Sequence, residues 1–373
     1  MPRLSGQPVE LEQQVRSRFA VKQFYALPDG ELEFQVDYDV NAKRNFAGLT
    51  SALAPMGYVP LLQGSKDECV LMVRKADTTP RRQSRLPVLF ALFTSITLFV
   101  FALLQEQLYQ QLVPALSAYA VFIEFTITIA VMLGAHELVQ RYVGRKKDAG
   151  HSSSYLIPSI PFLPPFLPSL GFAASQHEPA LNRDRLFDTV IVGPLAVLGL
   201  AILFYIIGDF TATQSAALVP GSQLANSTVS INSNAIQIGI DAVLRPLLPS
   251  AAPGNVLVSP IGDGATVGFI LVFIGLLPMA FYDGGFLSSL VLPEGPARLA
   301  SYLSVLALLV LDTPTYWALA VVVLLLAGRP FQLRLRDEVS GLSTARRWVF
   351  LGAVVLAFLC LPFPHNLGTL PLS

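Results

Sequence analysis

Hydrophobic and polar residues alternate near the N-terminus, whereas long apolar runs dominate the rest of the chain. Leu32, Phe34, Val36 and Tyr38 alternate with charged and amide side chains, and this period of two predicts a half-buried strand. The stretch 9–19 before the strand is compatible with a helix. The first part of the chain is therefore expected to pair at least one strand with a helix.

The pattern after this strand predicts a further helix and two further strands. Asn41 can cap a helix whose apolar side chains recur every three or four residues, and Gly57 can end it. Two strands, 58–62 and 69–73, then flank a Gly-Ser-Lys-Asp turn at 64–67. The sum is a small α+β domain.

Apolar runs long enough to cross a membrane begin after a basic linker at 78–85, so residues 1–77 are predicted to form the soluble domain. Seven runs predict spans, of which the fifth and sixth are short: 86–104, 112–134, 186–208, 266–282, 297–311, 314–328 and 348–361. Residues 86–362 are thus interpreted as a polytopic α-helical membrane domain of about six to eight helices. Residues 363–373 are a short tail.

Composition supports a membrane protein. The chain is 53% hydrophobic and 13% charged, whereas soluble domains are about 25% charged. Its 25 basic and 25 acidic residues cancel, so nothing favours nucleic acid as a partner. Cys69 and Cys360 lie in very different segments, and we expect no disulfide framework. The polar N-terminus does not resemble a signal peptide.

The distribution of charge predicts the topology. With the N-terminus in the cytoplasm and seven spans, Arg245 is the one basic residue, of 25, that falls in an external loop. That residue lies in the long loop 209–265, which also carries the glycosylation sequon Asn226-Ser227-Thr228. Within the same loop, the segment 235–244 is expected to lie along the membrane interface.

A proline-rich apolar segment, 155–171, lies between the second and third predicted spans. Its five prolines exclude a regular helix. Irregular backbone at membrane depth requires cover by protein or by a water-filled cavity. Two interpretations stay open: a re-entrant or gating segment, and an interfacial loop.

The chemistry is carried by the sequence His136-Glu137-Leu138-Val139-Gln140. In a His-Glu-x-x-His helix, two histidines one turn apart bind Zn²⁺ and the glutamate acts as general base. Gln140 replaces the second histidine, and a neutral amide is a poor zinc ligand. Asp283, followed by Gly284-Gly285 at the end of the fourth span, is predicted at the same membrane depth as His136. Taken alone, His136-Glu137 would be interpreted as a polar pair at a helix end. Asp283-Gly284-Gly285 alone would be interpreted as a helix C-terminal turn.

Several motifs occur in one order. They are Ala135-His136-Glu137-Leu138, the proline-rich segment, Asn182-Arg183 with Leu186-Phe187-Asp188, Gly193-Pro194-Leu195, Leu276-Leu277-Pro278 and Asp283-Gly284-Gly285. In this order the chain resembles the site-2 protease family of intramembrane zinc metalloproteases, in its archaeal and plastid-like branch with a soluble N-terminal domain. The resemblance covers roughly residues 86–362.

The resemblance implies roles for individual residues. His136 and Asp283 match two zinc ligands, Glu137 matches the general base, and the second histidine has no match because Gln140 occupies its position. The family has an Asn, which orients substrate or stabilises the oxyanion, where this chain has Gly275. Substrate contacts are implied at Gly171, Gly275 and Pro278. Either of two loop histidines, His151 or His177, is a candidate to complete the ligand set, although a solvated loop histidine is the simpler interpretation.

Three functions follow as hypotheses. The first is a non-catalytic homologue, without zinc, that binds other integral membrane proteins within the bilayer of the cell membrane as a scaffold, chaperone or complex subunit. The second is an active zinc endopeptidase that cleaves transmembrane segments, using Glu137 and a metal-bound water. The third is a small-solute transporter, although the sequence lacks the paired interrupted helices of an inverted repeat.

Overall fold

The computed structural model describes residues 7–27, 30–76, 85–114, 116–149, 154–159, 167–176, 178–216, 233–244, 246–247, 255–310, 314–327 and 333–362. Helices dominate these ranges. They are α1 Gln7–Arg16, α2 Ala42–Leu53, α3 Leu86–Leu112, α4 Ala118–Lys146, α5 Arg183–Thr211, α6 Ala235–Leu244, α7 Pro260–Leu276, α8 Asp283–Val291, α9 Glu294–Val310, α10 Pro314–Ala327 and α11 Thr344–Leu359. The strands are β1 Val21–Ala26, β2 Leu32–Val36, β3 Tyr58–Gly64, β4 Cys69–Lys75, β5 Tyr155–Pro158, β6 Ser169–Ala173, β7 Thr213–Ala216 and β8 Asn255–Val258.

The N-terminal region forms a four-stranded antiparallel sheet in the order β1-β2-β4-β3. Phe34 pairs with Leu71 across β2 and β4, and both side chains are buried in a core with Phe46 of α2. The predicted helices and the three predicted strands are present, and β1 is an additional strand. The predicted cap is wrong: the Asn41 side chain makes no capping hydrogen bond, because its backbone is already helical.

Three helices are long and apolar enough to cross a membrane by length and composition, namely α3, α4 and α5. Among the described residues, shorter apolar helices are 235–244, 260–276 and 316–325. The second predicted span was expected to end before His136, but α4 continues to Lys146. The motif therefore lies inside a helix, where His136 and Gln140 share one buried face.

Helix α7 is the most buried helix of the apolar part. Its residues from Gly264 to Leu276 are all buried, and it packs on α4, α5 and α11. The prediction of one span over 266–282 is wrong at its end. The helix stops at Leu276, Pro278 follows, and Asp283 begins the separate helix α8 instead of terminating α7. Pro278 cannot donate the helical hydrogen bond, which explains the break.

The described parts of the proline-rich segment contain two strands and no helix, in agreement with its prolines. Strands β5 and β6 pair as an antiparallel hairpin, and the residues between them, 160–166, lie outside the described residues. So do five features of the sequence analysis: linker residues 78–84, the sequon at Asn226, Arg245, the tail 363–373, and the two loop histidines, His151 and His177.

Residues 333–341 connect the apolar part to the N-terminal sheet. Leu62 of β3 donates to the Arg336 carbonyl and accepts from the Glu338 amide, so the segment adds in parallel to the sheet edge. Lys43 of α2 pairs with Asp184 of α5 at 2.7 Å. The N-terminal domain thus contacts the helices through backbone hydrogen bonds and an ion pair.

Candidate functional site

His136 and Asp283 meet in the interior of the molecule. The His136 Nε2 atom lies 2.7 Å from Asp283 Oδ2, and each residue is 1% exposed. An ionised carboxylate only accepts hydrogen bonds, so Nε2 is the donor of this contact when Asp283 is charged. The other ring nitrogen, Nδ1, is buried and has no partner within the described ranges.

Gln140 completes this pair through its amide. Its Nε2 donates to the Val190 carbonyl at 3.0 Å and faces Asp283 Oδ1 at 3.4 Å, while its Oε1 accepts from Ser154 Oγ at 2.8 Å. The orientation of the amide follows from its neighbours. Carbonyl and carboxylate oxygens both need a donor, so the NH₂ group and not the oxygen faces Val190 and Asp283.

Pro194 explains why Val190 needs this donor. Within α5 the carbonyl of residue 190 would accept from the amide of residue 194, but proline has no N–H. The Val190 carbonyl is therefore left open in a buried part of the helix. Gln140 supplies the missing hydrogen bond from the neighbouring helix α4, as expected for buried backbone groups.

Gly193 allows α5 to approach α4 at this point. A Cβ atom at Gly193 would lie 2.5 Å from Gln140 Nε2 and 2.6 Å from His136 Nε2. Both distances are far shorter than van der Waals contact. The Gly-Pro pair thus has two local functions: the glycine makes room for the two polar side chains, and the proline frees the carbonyl that one of them binds.

The Asp-Gly-Gly sequence positions the carboxylate. Asp283 occupies the first turn of α8, where a negative charge is favoured by the helix dipole. A Cβ at Gly284 would lie 2.2 Å from the Leu277 carbonyl oxygen, and one at Gly285 would lie 1.7 Å from that of Met279. Only glycine allows the turn 277–282 to fold back so closely onto α8.

Aromatic side chains close the site. The Phe172 ring of β6 stacks on the His136 ring, with centroids 3.5 Å apart and planes 7° apart. Tyr282 is fully buried and donates to the Leu170 carbonyl at 2.9 Å. The backbone amide of Ala174, directly after β6, donates to the Phe281 carbonyl at 2.8 Å. This backbone group is therefore already hydrogen-bonded within the chain. Phe281 has a φ of 61°, an uncommon conformation for a bulky residue.

Glu137 lies apart from the closed pair, at the edge of the site. Its carboxylate pairs with Arg141 one turn later at 2.5 Å and accepts from the Ser154 amide at 3.3 Å. Its side chain is 19% exposed. Ser154 therefore bonds both Glu137 and Gln140. These two residues occupy the positions of the general base and the second histidine in the His-Glu-x-x-His motif.

The implied substrate residues take different positions. Gly171 is buried with a φ of 98°, and a Cβ there would lie 3.4 Å from the Tyr282 ring. Gly275 is buried in α7 with open space beside its Cα. Pro278 lines a cavity with Arg183 on α5. The cavity beside Pro278 is not lined by Gly171, Gly275 or His136.

The donor set does not fit zinc. Tetrahedral zinc sites need three protein ligands plus water, at about 2.0–2.2 Å from the metal, and here two candidate ligands bond each other directly. The third position presents an NH₂ donor, which has no lone pair to offer a metal. Within the described residues, no group of three or more His, Cys, Asp or Glu side chains is arranged to hold a metal ion.

Four participants escaped the sequence analysis: Phe172, Val190, Ser154 and Arg141. The first three reach the site from distant parts of the chain, so local spacing contains no signal for them. Arg141 is different, because Glu137 and Arg141 are four residues apart on one helix, which is an ordinary ion-pair spacing.

Comparisons of the chain with protein-family models, with curated proteins and with solved structures find no match.

Proposed function

We propose that this chain is a site-2-protease-like membrane protein that no longer cleaves, and that it acts on other integral membrane proteins as a scaffold, chaperone or complex subunit. The observation that carries the proposal is the Gln140 amide. It bonds the Val190 carbonyl and faces Asp283, so the polar groups of the site are largely satisfied by protein alone.

The cover over the site supports the same proposal. Metal-dependent hydrolysis needs an open coordination position and room for water and a peptide. His136, Gln140 and Asp283 are each 1% exposed, and Phe172 stacks directly on the imidazole. A peptide strand would also have to displace the hydrogen bond from Ala174 to Phe281.

A membrane location is part of the proposal. We take the three long apolar helices as spans and add α7, α9, α10 and α11 to reach seven, within the predicted six to eight. The exposed side chains of the last three are largely apolar, as for lipid-facing surfaces: Leu299, Leu303, Leu306, Val321, Leu325, Leu351 and Val355. The N-terminal domain is then cytoplasmic, as the charge distribution predicts.

An active intramembrane zinc endopeptidase is the second candidate. The adjacency of His136 and Asp283 favours it, because two of the family's ligands meet although they are far apart in sequence. On this hypothesis Glu137 would be the base. Its engagement with Arg141 and the Ser154 amide argues against that role.

Replacing Glu137 by Gln separates the two candidates. The amide keeps one acceptor for Arg141 and removes the base. In cells that lack the protein, membrane proteomes are compared after restoring wild type, Glu137→Gln or the control Glu106→Gln. A scaffold predicts that all three restore the same partner levels. Failure of Glu137→Gln alone, with accumulation of uncleaved substrate, would establish the protease instead.

A further inference from the structure

A separate cavity opens beside α8, and it is lined by groups with unused donors. Its volume is about 290 Å³, and its polar lining comprises Arg183, Ser288, Ser289, Glu294, Arg298 and Ser301. His136, Gln140 and Asp283 do not line it. The volume is near the lower end of the range for small-molecule sites.

Among the charged side chains that line this cavity, Arg183 is the one with no ion pair to a described residue. Its Nε is buried and has no hydrogen-bond partner in the described part of the chain. The neighbouring Asp184 is engaged by Lys43 and Arg346. The acidic lining residue, Glu294, pairs with Arg298 at 2.6 Å. The lining therefore carries one net positive charge, and a partly buried guanidinium without an anion is unfavourable.

The serine hydroxyls divide into a donor and two acceptors. Ser301 Oγ accepts from the Ala280 amide at 2.9 Å, so its own proton remains available for an oxygen of a ligand. Ser288 and Ser289 both donate to the Gly285 carbonyl, which leaves their oxygens as acceptors. The cavity thus offers Arg183 and Ser301 to an anion and two further oxygens to hydroxyl groups.

We infer that this cavity binds the phosphate of a hydroxyl-bearing ester, with Arg183 as its principal contact. A guanidinium matches the geometry of phosphate oxygens, and a charge-assisted hydrogen bond is about twice as strong as a neutral one. A glycerophosphate group supplies both the anion and the hydroxyls. The inference stands independently of whether the His136 site is catalytic.

Two sources share this chemistry: the headgroup of phosphatidylglycerol and soluble glycerol 3-phosphate. The surface around the cavity favours the lipid. Helix α9 begins at the cavity with Glu294, and its next turns expose Leu299, Tyr302 and Leu303. A phosphate at the start of α9 would leave acyl chains against this apolar face.

The test uses the full-length purified protein in nanodiscs of phosphatidylcholine with a minor fraction of phosphatidylglycerol. Lipid retained through delipidation is counted by native mass spectrometry for wild type, Arg183→Gln and Arg183→Lys. Arg347→Gln is the matched control, since Arg347 is an exposed arginine with no side-chain ion pair among the described residues. Glycerol 3-phosphate is titrated into the wild type as the soluble arm.

We expect wild type and Arg347→Gln to retain phosphatidylglycerol, and affinity to fall at least about tenfold in Arg183→Gln. Arg183→Lys should lose less, since it keeps the charge. Saturable binding of glycerol 3-phosphate without lipid preference would support the site with a soluble ligand. If the wild type binds neither probe, or if Arg183→Gln binds as wild type does, the inference is overturned. The wild-type arms decide even if the variant fails to fold.

Discussion

Replacing Gln140 by Met tests whether its amide holds the helices together. Methionine keeps the length and apolar bulk of the side chain and removes the donor and acceptor. The Val190 carbonyl then has no donor, because Pro194 cannot supply one, and the Ser154 hydroxyl loses its acceptor. Each lost hydrogen bond is worth about 1 kcal/mol, and an unsatisfied buried group costs about 1–3 kcal/mol.

We therefore expect Gln140→Met to lower the free energy of unfolding by about 2–3 kcal/mol. This is an upper range, because interhelical hydrogen bonds in membranes average about 0.6 kcal/mol. Gln110→Met is the control: it removes one partly buried bond to the Leu116 carbonyl. Unfolding is followed by circular dichroism during titration of mixed micelles with SDS. Equal midpoints for the two variants would refute the structural role of the amide.

Three further predictions use other parts of the molecule. Gly193→Ala should destabilise by about 1–3 kcal/mol through overpacking, whereas Gly199→Ala, which meets open space on the same helix, should be neutral in the same titration; equal losses would contradict the close approach. Burial raises the pKa of Asp337, so its ionised form is disfavoured in the folded chain and stability should fall as pH rises from about 4 through the raised pKa; in melts at several pH values Asp337→Asn should flatten this slope, and an unchanged slope would contradict it. Cysteine introduced at Asn226 should be labelled from outside, and one at the exposed Glu338 should be labelled from the cytoplasm; the reverse pattern would overturn the proposed topology.

Local patterns in the sequence predict most of the elements of the N-terminal domain. The alternation that begins at Leu32 gives β2, whose residues alternate between buried and partly exposed. The weaker β1, Val21–Ala26, was missed because its side chains alternate irregularly and stay mostly outside the core. The prediction that Asn41 caps α2 is wrong because the Asn41 backbone is itself helical, and its side chain makes no hydrogen bond to a backbone amide of the first turn.

The candidate site depends partly on tertiary contacts that local sequence patterns do not predict. The motifs identify His136, Glu137 and Asp283, and the order of the spans predicts that His136 and Asp283 meet, as they do. The end of the fourth predicted span lies too far along the chain, because the apolar sequence continues past Pro278. The proline itself favours the end of α7 at this point. The contact between Gln140 and Val190 depends on a proline in another helix, and such tertiary pairing has no signature in one sequence.

The zinc content of the purified full-length protein tests the central claim most directly. Elemental analysis is done on wild type and Gln140→His side by side, after expression with ample zinc. We predict less than stoichiometric zinc in the wild type, because the amide presents a donor where a ligand is needed. Gln140→His should raise the zinc content towards one per chain, since a third ligand is restored. One zinc per chain in the wild type would contradict the account.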